Sequence, residues 1–161
     1  MRIIPYLIYL LIIAMFVVIF KDLTQIGAVA LNLPALIVML VGLYKEELPA
    51  AWFGFATGLV ATAAYTTAMG WNALILAILA LAACHVRERL NLDSMKAKML
   101  VVLAGVLLHN FASVVIYRPD SVWHGMITVA PLGALYTSVF GWLFFLFKEG
   151  KITYAKIRSI F

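Results

Sequence analysis

The stretch "WFGFATGLVATAAYTT" (residues 52–67) is almost wholly apolar, yet it keeps one side small. Residues four apart lie on the same face of an α-helix, so the small side chains here would form a continuous ridge. The members of this small-residue ridge are Ala50, Gly54, Gly58, Thr62 and Thr66. In lipid such a face permits the close backbone approach on which helix packing depends. The ridge therefore predicts either packing against another helix of this chain or an interface with another protein.

The composition predicts an integral membrane protein. Of the 161 residues, 66% are hydrophobic and 12% are charged, which is far more apolar than a soluble domain. A hydrocarbon core of roughly 30 Å takes about 20 helical residues to cross, so the length leaves room for five or six crossings. The net charge of +5 comes from basic clusters between apolar runs, which indicates contact with anionic lipid and argues against nucleic acid.

The apolar runs predict an all-α membrane protein with six transmembrane helices. They lie at about 3–20, 26–44, 49–68, 71–86, 99–117 and 126–147, and a basic tail follows at 148–161. An Ala-Val-Ala at 28–30 resembles a signal-peptidase site, but it lies too far beyond the first run. We therefore expect the first helix to stay in the membrane, and residues 1–161 to form a single integral membrane domain.

The distribution of Lys and Arg predicts the orientation of the helices. Ten of these residues fall at the two termini and in the second and fourth loops, whereas only Lys21 and Arg118 fall on the other side. The positive-inside rule then places both termini in the cytoplasm. The predicted cytoplasmic basic surface consists of Arg87, Arg89, Lys96, Lys98, Lys151, Lys156 and Arg158. Its charges either meet a protein filament or anionic lipid, or serve only to fix the topology.

The sequence gives no indication of catalysis. Every Asp and Glu falls at a helix end or in a loop, and Cys84 has no second cysteine with which to pair. His109 precedes Ser113 by one helical turn, a spacing that suits a local hydrogen bond, but no nucleophile motif accompanies the pair. We expect no catalytic residue, no bound metal and no cofactor.

Several polar residues should lie at similar depth in the half of the bundle away from the cytoplasm. They are Asn32, Thr62, Thr66, Asn72, His109 and Asn110. Polar groups at this depth must find partners or water. One hypothesis is an outward-opening polar cavity, lined above all by Asn32, Asn72, His109 and Asn110. The alternative is that each group is satisfied separately within its own surroundings.

Three segments resemble the bacterial rod shape-determining protein family MreD. They are "LNLPALIVMLVGLY" (31–44), "GFATGLVATAAYTTAMGWNAL" (54–74) and "APLGALYTSVFGWLFFLF" (130–147). Pro34 matches an early proline of the second helix, Gly54 and Gly58 match a Gly-Phe-x-x-Gly-Leu face, and 70–74 match a Gly-x-Asn-Ala-Leu motif. The chain departs from the family at Thr62, where members often carry Asp.

The resemblance implies a non-enzymatic scaffold subunit of the cell-elongation complex in the bacterial cytoplasmic (inner) membrane. Its partners would be the membrane helix of MreC and, directly or indirectly, MreB, RodA and a penicillin-binding transpeptidase. The family is also similar in fold to substrate-binding subunits of energy-coupling-factor vitamin transporters. This implies an alternative function, with a vitamin pocket near Asn72, His109 and Asn110. Those subunits usually carry an Ala-x-x-x-Ala docking face on the first helix, where this chain has only Ala14.

The predicted topology can be tested with reporter fusions. Because both termini are expected in the cytoplasm, green fluorescent protein fused after Phe161 should fluoresce, and alkaline phosphatase fused there should be inactive. The same two reporters fused within the loop around Arg118 should give the opposite result. Phosphatase activity at the C-terminus would contradict the even number of crossings.

Overall fold

The computed structural model describes residues 4–20, 23–27, 29–63, 69–90, 94–117 and 122–148. Over these ranges the chain is helical, and its only extended pairing is an isolated bridge between Ile26 and Val29. The helices are α1 Ile4–Met15, α2 Leu33–Tyr44, α3 Glu47–Ala61, α4 Met69–Arg89, α5 Met95–Tyr117, α6 Val122–His124 and α7 Ala130–Lys148. π-helical segments at Phe16–Phe20 and Gly125–Val129 extend α1 and join α6 to α7. The all-α prediction is confirmed for the described residues.

Three of the described helices are long and apolar enough to cross a membrane: Met69–Arg89, Met95–Tyr117 and the continuous Val122–Lys148. Two further apolar helices, Pro5–Phe20 and Leu33–Tyr44, are shorter. At about 1.5 Å per residue, α2 reaches only about 18 Å, well short of a hydrocarbon core of roughly 30 Å. The structure thus supports a membrane protein with three candidate spanning helices, and the count of six crossings stays a prediction.

The predicted start of the second helix at residue 26 is wrong. The helix begins at Leu33, where the side chain of Asn32 accepts a hydrogen bond from the backbone N–H of Ala35 and so caps the first turn. Pro34 follows in that turn, where its missing N–H costs little. Before the cap, Gly27 takes a left-handed conformation with φ of +61°, which a helix does not contain. Hydropathy alone had merged this non-helical approach with the helix.

The predicted end of the third helix at residue 68 is also wrong within the described range. Helix α3 ends at Ala61, and Thr62 lies in the turn that follows. In a continuing helix the N–H of Thr62 would bond to the carbonyl of Gly58. In the structure the hydroxyl of Thr62 donates to that carbonyl, at 2.6 Å, and the backbone N–H of Thr62 donates to the carbonyl of Val60. Thr66 lies outside the described residues.

The remaining predicted helices agree with the structure to within a few residues. The run at 3–20 contains α1 and its π-helical extension, and 71–86 corresponds to α4. The run at 99–117 begins four residues earlier in the structure, and 126–147 covers all of α7 except its last residue, Lys148. The tail beyond Lys148, including Lys151, Lys156 and Arg158, lies outside the described residues.

The small-residue ridge packs against α4 of the same chain. Ala50 is fully buried, and a Cβ placed on Gly54 would lie 2.6 Å from the carbonyl oxygen of Leu76. A Cβ on Gly58 would lie 2.6 Å from the backbone nitrogen of Ala73. Helices α3 and α4 therefore touch backbone to backbone, with no room for a second helix at Gly54 or Gly58.

The core is centred on α2, whose residues are buried on almost every side. The helix packs against α3, α4, α5 and α7, and the side chains of Val38 and Ala35 are fully buried. A helix that is apolar around its whole circumference is expected in such a position. Its high hydropathy therefore reflects protein packing more than contact with lipid.

Helices α2, α4 and α7 end at the same end of the bundle. Arg87 donates a hydrogen bond of 2.6 Å to the carbonyl of Lys45, and the ammonium of Lys148 lies 3.0 Å from the centre of the Tyr44 ring. We call this the basic end, defined by Lys45, Arg87 and Lys148. The starts of α2 and α4 lie at the opposite end of the bundle.

Exposed tryptophans lie toward both ends of the molecule. Trp52 and Trp142 lie toward the basic end, and Trp71 and Trp123 lie at the opposite end. At about 1.5 Å per residue, Trp123 and Trp142 are roughly 28 Å apart along the helix axis, close to the thickness of a hydrocarbon core. Exposed indole rings at this separation are typical of the two membrane interfaces.

The close contact of α3 with α4 predicts that even a single methyl group at Gly58 is harmful. Gly58→Ala should lower the free energy of unfolding by about 1–3 kcal/mol, because α4 backbone occupies the space that the methyl group needs. Gly70→Ala is the matched control, since its added Cβ meets no described atom and alanine favours helix. Unfolding by SDS titration in detergent measures both, and equal stability of the two variants would contradict the packing role.

Candidate binding site

The four predicted cavity residues meet in one hydrogen-bonded group, the amide–histidine cluster of Asn32, Asn72, His109 and Asn110. The amide nitrogen of Asn32 lies 2.7 Å from Nδ1 of His109 and also donates to Oδ1 of Asn110 at 2.7 Å. Nε2 of His109 lies 2.8 Å from Oδ1 of Asn72. Residues from the start of α2, the start of α4 and the middle of α5 are thereby joined.

The hydrogen bonds assign the protons on His109. The side-chain oxygen of Asn32 accepts from the N–H of Ala35, so its NH₂ group faces the imidazole and can only donate. Nδ1 of His109 is therefore the acceptor, and Nε2 carries the hydrogen that it donates to Asn72. Both ring nitrogens are used in the neutral form, and an imidazolium could not accept the bond from Asn32.

Further bonds tie the cluster to α3 and α7. The backbone N–H of Asn32 donates to the hydroxyl of Thr137 at 3.0 Å, and Asn110 donates to the carbonyl of Ala130 at 3.1 Å. The amide of Asn72 reaches the carbonyl of Gly58 at 3.5 Å. Five helices therefore meet at one set of polar side chains, two of which, Asn72 and His109, are buried.

The cluster forms one wall of a cavity of about 580 Å³. The lining residues are Phe16, Val17, Ala30, Leu31, Asn32, Pro34, Ala61, Thr62, Asn72, His109, Asn110, Ser113, Val114, Tyr117, Val129, Ala130 and Gly133. Of the polar residues expected at this depth, five line the cavity together: Asn32, Thr62, Asn72, His109 and Asn110.

Sequence reasoning missed part of this site. Thr137 was not among the polar residues singled out from the sequence, although its hydroxyl accepts from the N–H of Asn32 and donates to the carbonyl of Gly133. The contribution of Phe16 and Val17 was also missed, because no local pattern marks the π-helical extension of α1. A threonine within an apolar helix was the available signal for Thr137, since its hydroxyl can bond to the carbonyl four residues earlier.

The lining carries no reactive arrangement. The hydroxyl of Ser113 lies 3.5 Å from Nδ1 of His109, whose lone pair already accepts from Asn32, so His109 is not placed to take a proton from the serine. Within the described ranges, no group of three His, Cys, Asp or Glu side chains could hold a metal ion. The described lining can bind and orient a ligand.

The described part of the predicted basic surface lies at the opposite end of the molecule from the cavity. Arg87 is partly committed there, since it holds the carbonyl of Lys45 and approaches Glu88 at 3.5 Å. Arg89 and Lys96 are exposed, and Lys98 is half-buried. The described part of this surface therefore includes one arginine with a structural contact and two exposed cations.

Comparisons of the chain with protein-family models, with curated proteins and with solved structures find no match.

The cluster predicts opposite outcomes for two substitutions that each replace a buried polar group with an apolar one. His109→Leu should lower the free energy of unfolding by about 2–4 kcal/mol, because an amide hydrogen of Asn32 and the amide oxygen of Asn72 both lose their partner.

Thr57→Val is the matched control. The hydroxyl of Thr57 is fully buried and has no hydrogen-bond partner among the described residues. Its removal should leave stability unchanged or raise it by about 1 kcal/mol. SDS titration of both variants checks the pair, and an equal loss in both would show that the cluster contributes no more than an unpaired hydroxyl.

Proposed function

We propose that this chain is a non-enzymatic multi-pass membrane protein, with six crossings and both termini in the cytoplasm, that acts by binding. We further propose that it is a scaffold subunit of the bacterial cell-elongation complex, related to MreD. Its partners would be the membrane helix of MreC and, directly or indirectly, MreB, RodA and a penicillin-binding transpeptidase. Because the comparisons return no relative, this assignment rests on the resemblance of three segments and on the geometry of the described residues.

The observation that carries the binding function is the amide–histidine cluster, which joins five helices through hydrogen bonds. Every member is held by bonds to neighbouring helices, and neither ring nitrogen of His109 is free for proton transfer. Satisfied buried networks of this kind favour one unique arrangement of the helices that they join. A fixed membrane body with no reactive group suits a subunit that positions other proteins.

The residues that carry the resemblance occupy positions that fix the bundle. Pro34 lies in the first turn of α2, and Gly54 and Gly58 form the contact with α4. Asn72, from the Gly-x-Asn-Ala-Leu motif, bonds to His109. These placements support a common framework, because each motif residue has a packing or hydrogen-bonding reason to be where it is.

The contacts of Thr62 suggest a physical consequence of having threonine where family members often carry Asp. Its hydroxyl donates to the carbonyl of Gly58 within the same helix end, and the residue lines the cavity. An aspartate at this position could not donate that bond when ionised. We infer that Thr62 keeps this wall of the cavity uncharged and makes its polar contact locally.

A second candidate function is substrate binding in a vitamin transporter of the energy-coupling-factor type. The cavity of about 580 Å³ favours it, since pockets for small organic ligands have this size. The outer surface of α1 argues against it. The exposed side chains there are bulky, including Leu7, Leu11 and Met15, and they do not form a small-residue docking face.

The two functions predict different partners in a pulldown from native membranes with a mild detergent. The scaffold function predicts recovery of MreC, RodA and the transpeptidase with the tagged chain. The transport function predicts recovery of an ATP-driven coupling module and a bound vitamin. Mass spectrometry of proteins and small molecules from one sample distinguishes them, with an unrelated tagged membrane protein as control. Recovery of the coupling module without MreC would overturn the scaffold assignment.

A further inference from the structure

We propose that the cavity binds an uncharged, largely apolar small molecule that carries an amide or hydroxyl group, and that Asn110 and Ser113 receive this group. The inference rests on the second candidate function, small-molecule binding, and uses nothing from the scaffold assignment. It assigns the chemical class of the ligand and the residues that select it.

The lining excludes a charged ligand. None of the described residues that line the cavity is Lys, Arg, Asp or Glu, and His109 is held neutral by its two hydrogen bonds. A charged group in a site without a counter-charge loses its hydration with little in return. Neutral ligands do not meet this penalty.

The start of α2 would ordinarily favour an anion, since helix N-termini present free N–H groups and a positive dipole end. Here those groups are already used. Pro34 has no N–H, Ala35 donates to the side chain of Asn32, and Leu36 donates to the backbone carbonyl of Asn32. These three positions therefore offer no N–H to a phosphate or carboxylate, even though Asn32 and Pro34 line the cavity.

Two side chains keep hydrogen-bonding capacity that faces the cavity. Asn110 uses one amide hydrogen on the carbonyl of Ala130, which leaves the second available. Ser113 lies one helical turn further along α5, and its hydroxyl makes only a long contact of 3.5 Å with Nδ1 of His109, whose lone pair already accepts from Asn32. Asn110 and Ser113 lie side by side on α5, and both are half-buried. The amide hydrogen of Asn110 can donate to the C=O of a ligand amide, and the hydroxyl of Ser113 can accept from its N–H. A single ligand hydroxyl could bond to both residues.

The rest of the cavity is suited to an apolar body. The walls away from the cluster are formed by Phe16, Val17, Leu31, Val114 and Val129. Pockets of this kind, mostly apolar with a few convergent polar groups, are the usual form of small-molecule sites. The ligand would place its apolar part against α1 and its polar group on α5.

The test uses three small probes that share the phenylalanine side chain and differ in charge. At about pH 6, N-acetyl-phenylalaninamide is neutral, N-acetyl-phenylalanine is an anion and phenylalaninamide is largely a cation. Binding to the purified full chain in detergent is measured by ligand-observed NMR. We expect the neutral probe to bind at least about tenfold more tightly than either charged probe, because only the charged ones are desolvated without a partner. Equal or tighter binding of a charged probe, or no binding of the neutral probe up to its solubility limit, overturns the proposal.

Variants connect that binding to the cavity. Ser113→Ala should weaken the binding of the neutral probe by about fivefold to tenfold, because one hydrogen bond is lost. Ser138→Ala is the matched control, since the hydroxyl of Ser138 bonds to Ala134 and lies outside the cavity. Ala61→Phe, which fills the cavity from the end of α3, should abolish binding while leaving the helical circular dichroism spectrum unchanged. Equal effects of the two serine variants would overturn the assigned site.

The assay contains no partner protein, so its failure is distinct from a failure of the proposed functions. If the probe does not bind but MreC is still recovered from membranes, the ligand proposal is rejected and the scaffold assignment stands. If the probe binds but MreC is not recovered, the ligand proposal stands and the scaffold assignment is rejected.

Discussion

Asn32 is the residue on which the arrangement of the helices depends. Its side-chain oxygen starts α2 by accepting from Ala35, and its amide hydrogens reach His109 and Asn110 on α5. Its backbone N–H reaches Thr137 on α7. In a membrane interior a polar group without a partner is costly, so the start of α2 can lie at this depth only where these residues converge. The depth of α2, the protonation of His109 and the polar wall of the cavity all follow from that convergence.

The packing of the small-residue ridge against α4 and the position of the polar cluster depend on each other. Gly54 and Gly58 bring α3 and α4 into backbone contact, which places Asn72, at the start of α4, opposite His109. A bulkier ridge would separate the two helices and move Asn72 out of reach. Packing between small residues therefore determines where a polar contact can form, although neither glycine bonds to His109.

Sequence reasoning was most successful where a physical rule acts over a whole segment. The apolar runs predicted the helical class, and residue depth alone suggested that Asn32, Asn72, His109 and Asn110 share a cavity. It failed where a local interaction competes with the helix. The cap at Asn32 shortens the second helix, and the third ends at Ala61, before the turn at Thr62, and neither feature changes hydropathy. The direction in which α1 faces the cavity also depends on its π-helical extension, for which sequence offers no simple signal.

The short length of α2 has a consequence for how the protein is made. The helix is too short to span a bilayer by itself, and the groups that satisfy its start lie on helices synthesised much later. His109 is 77 positions further along the chain from Asn32, and Thr137 is 105 positions further along. An early stage of membrane insertion therefore holds α2 without its partners. The full set of contacts at the start of α2 can form only after α7 has left the ribosome, so the bundle is not completed helix by helix in chain order.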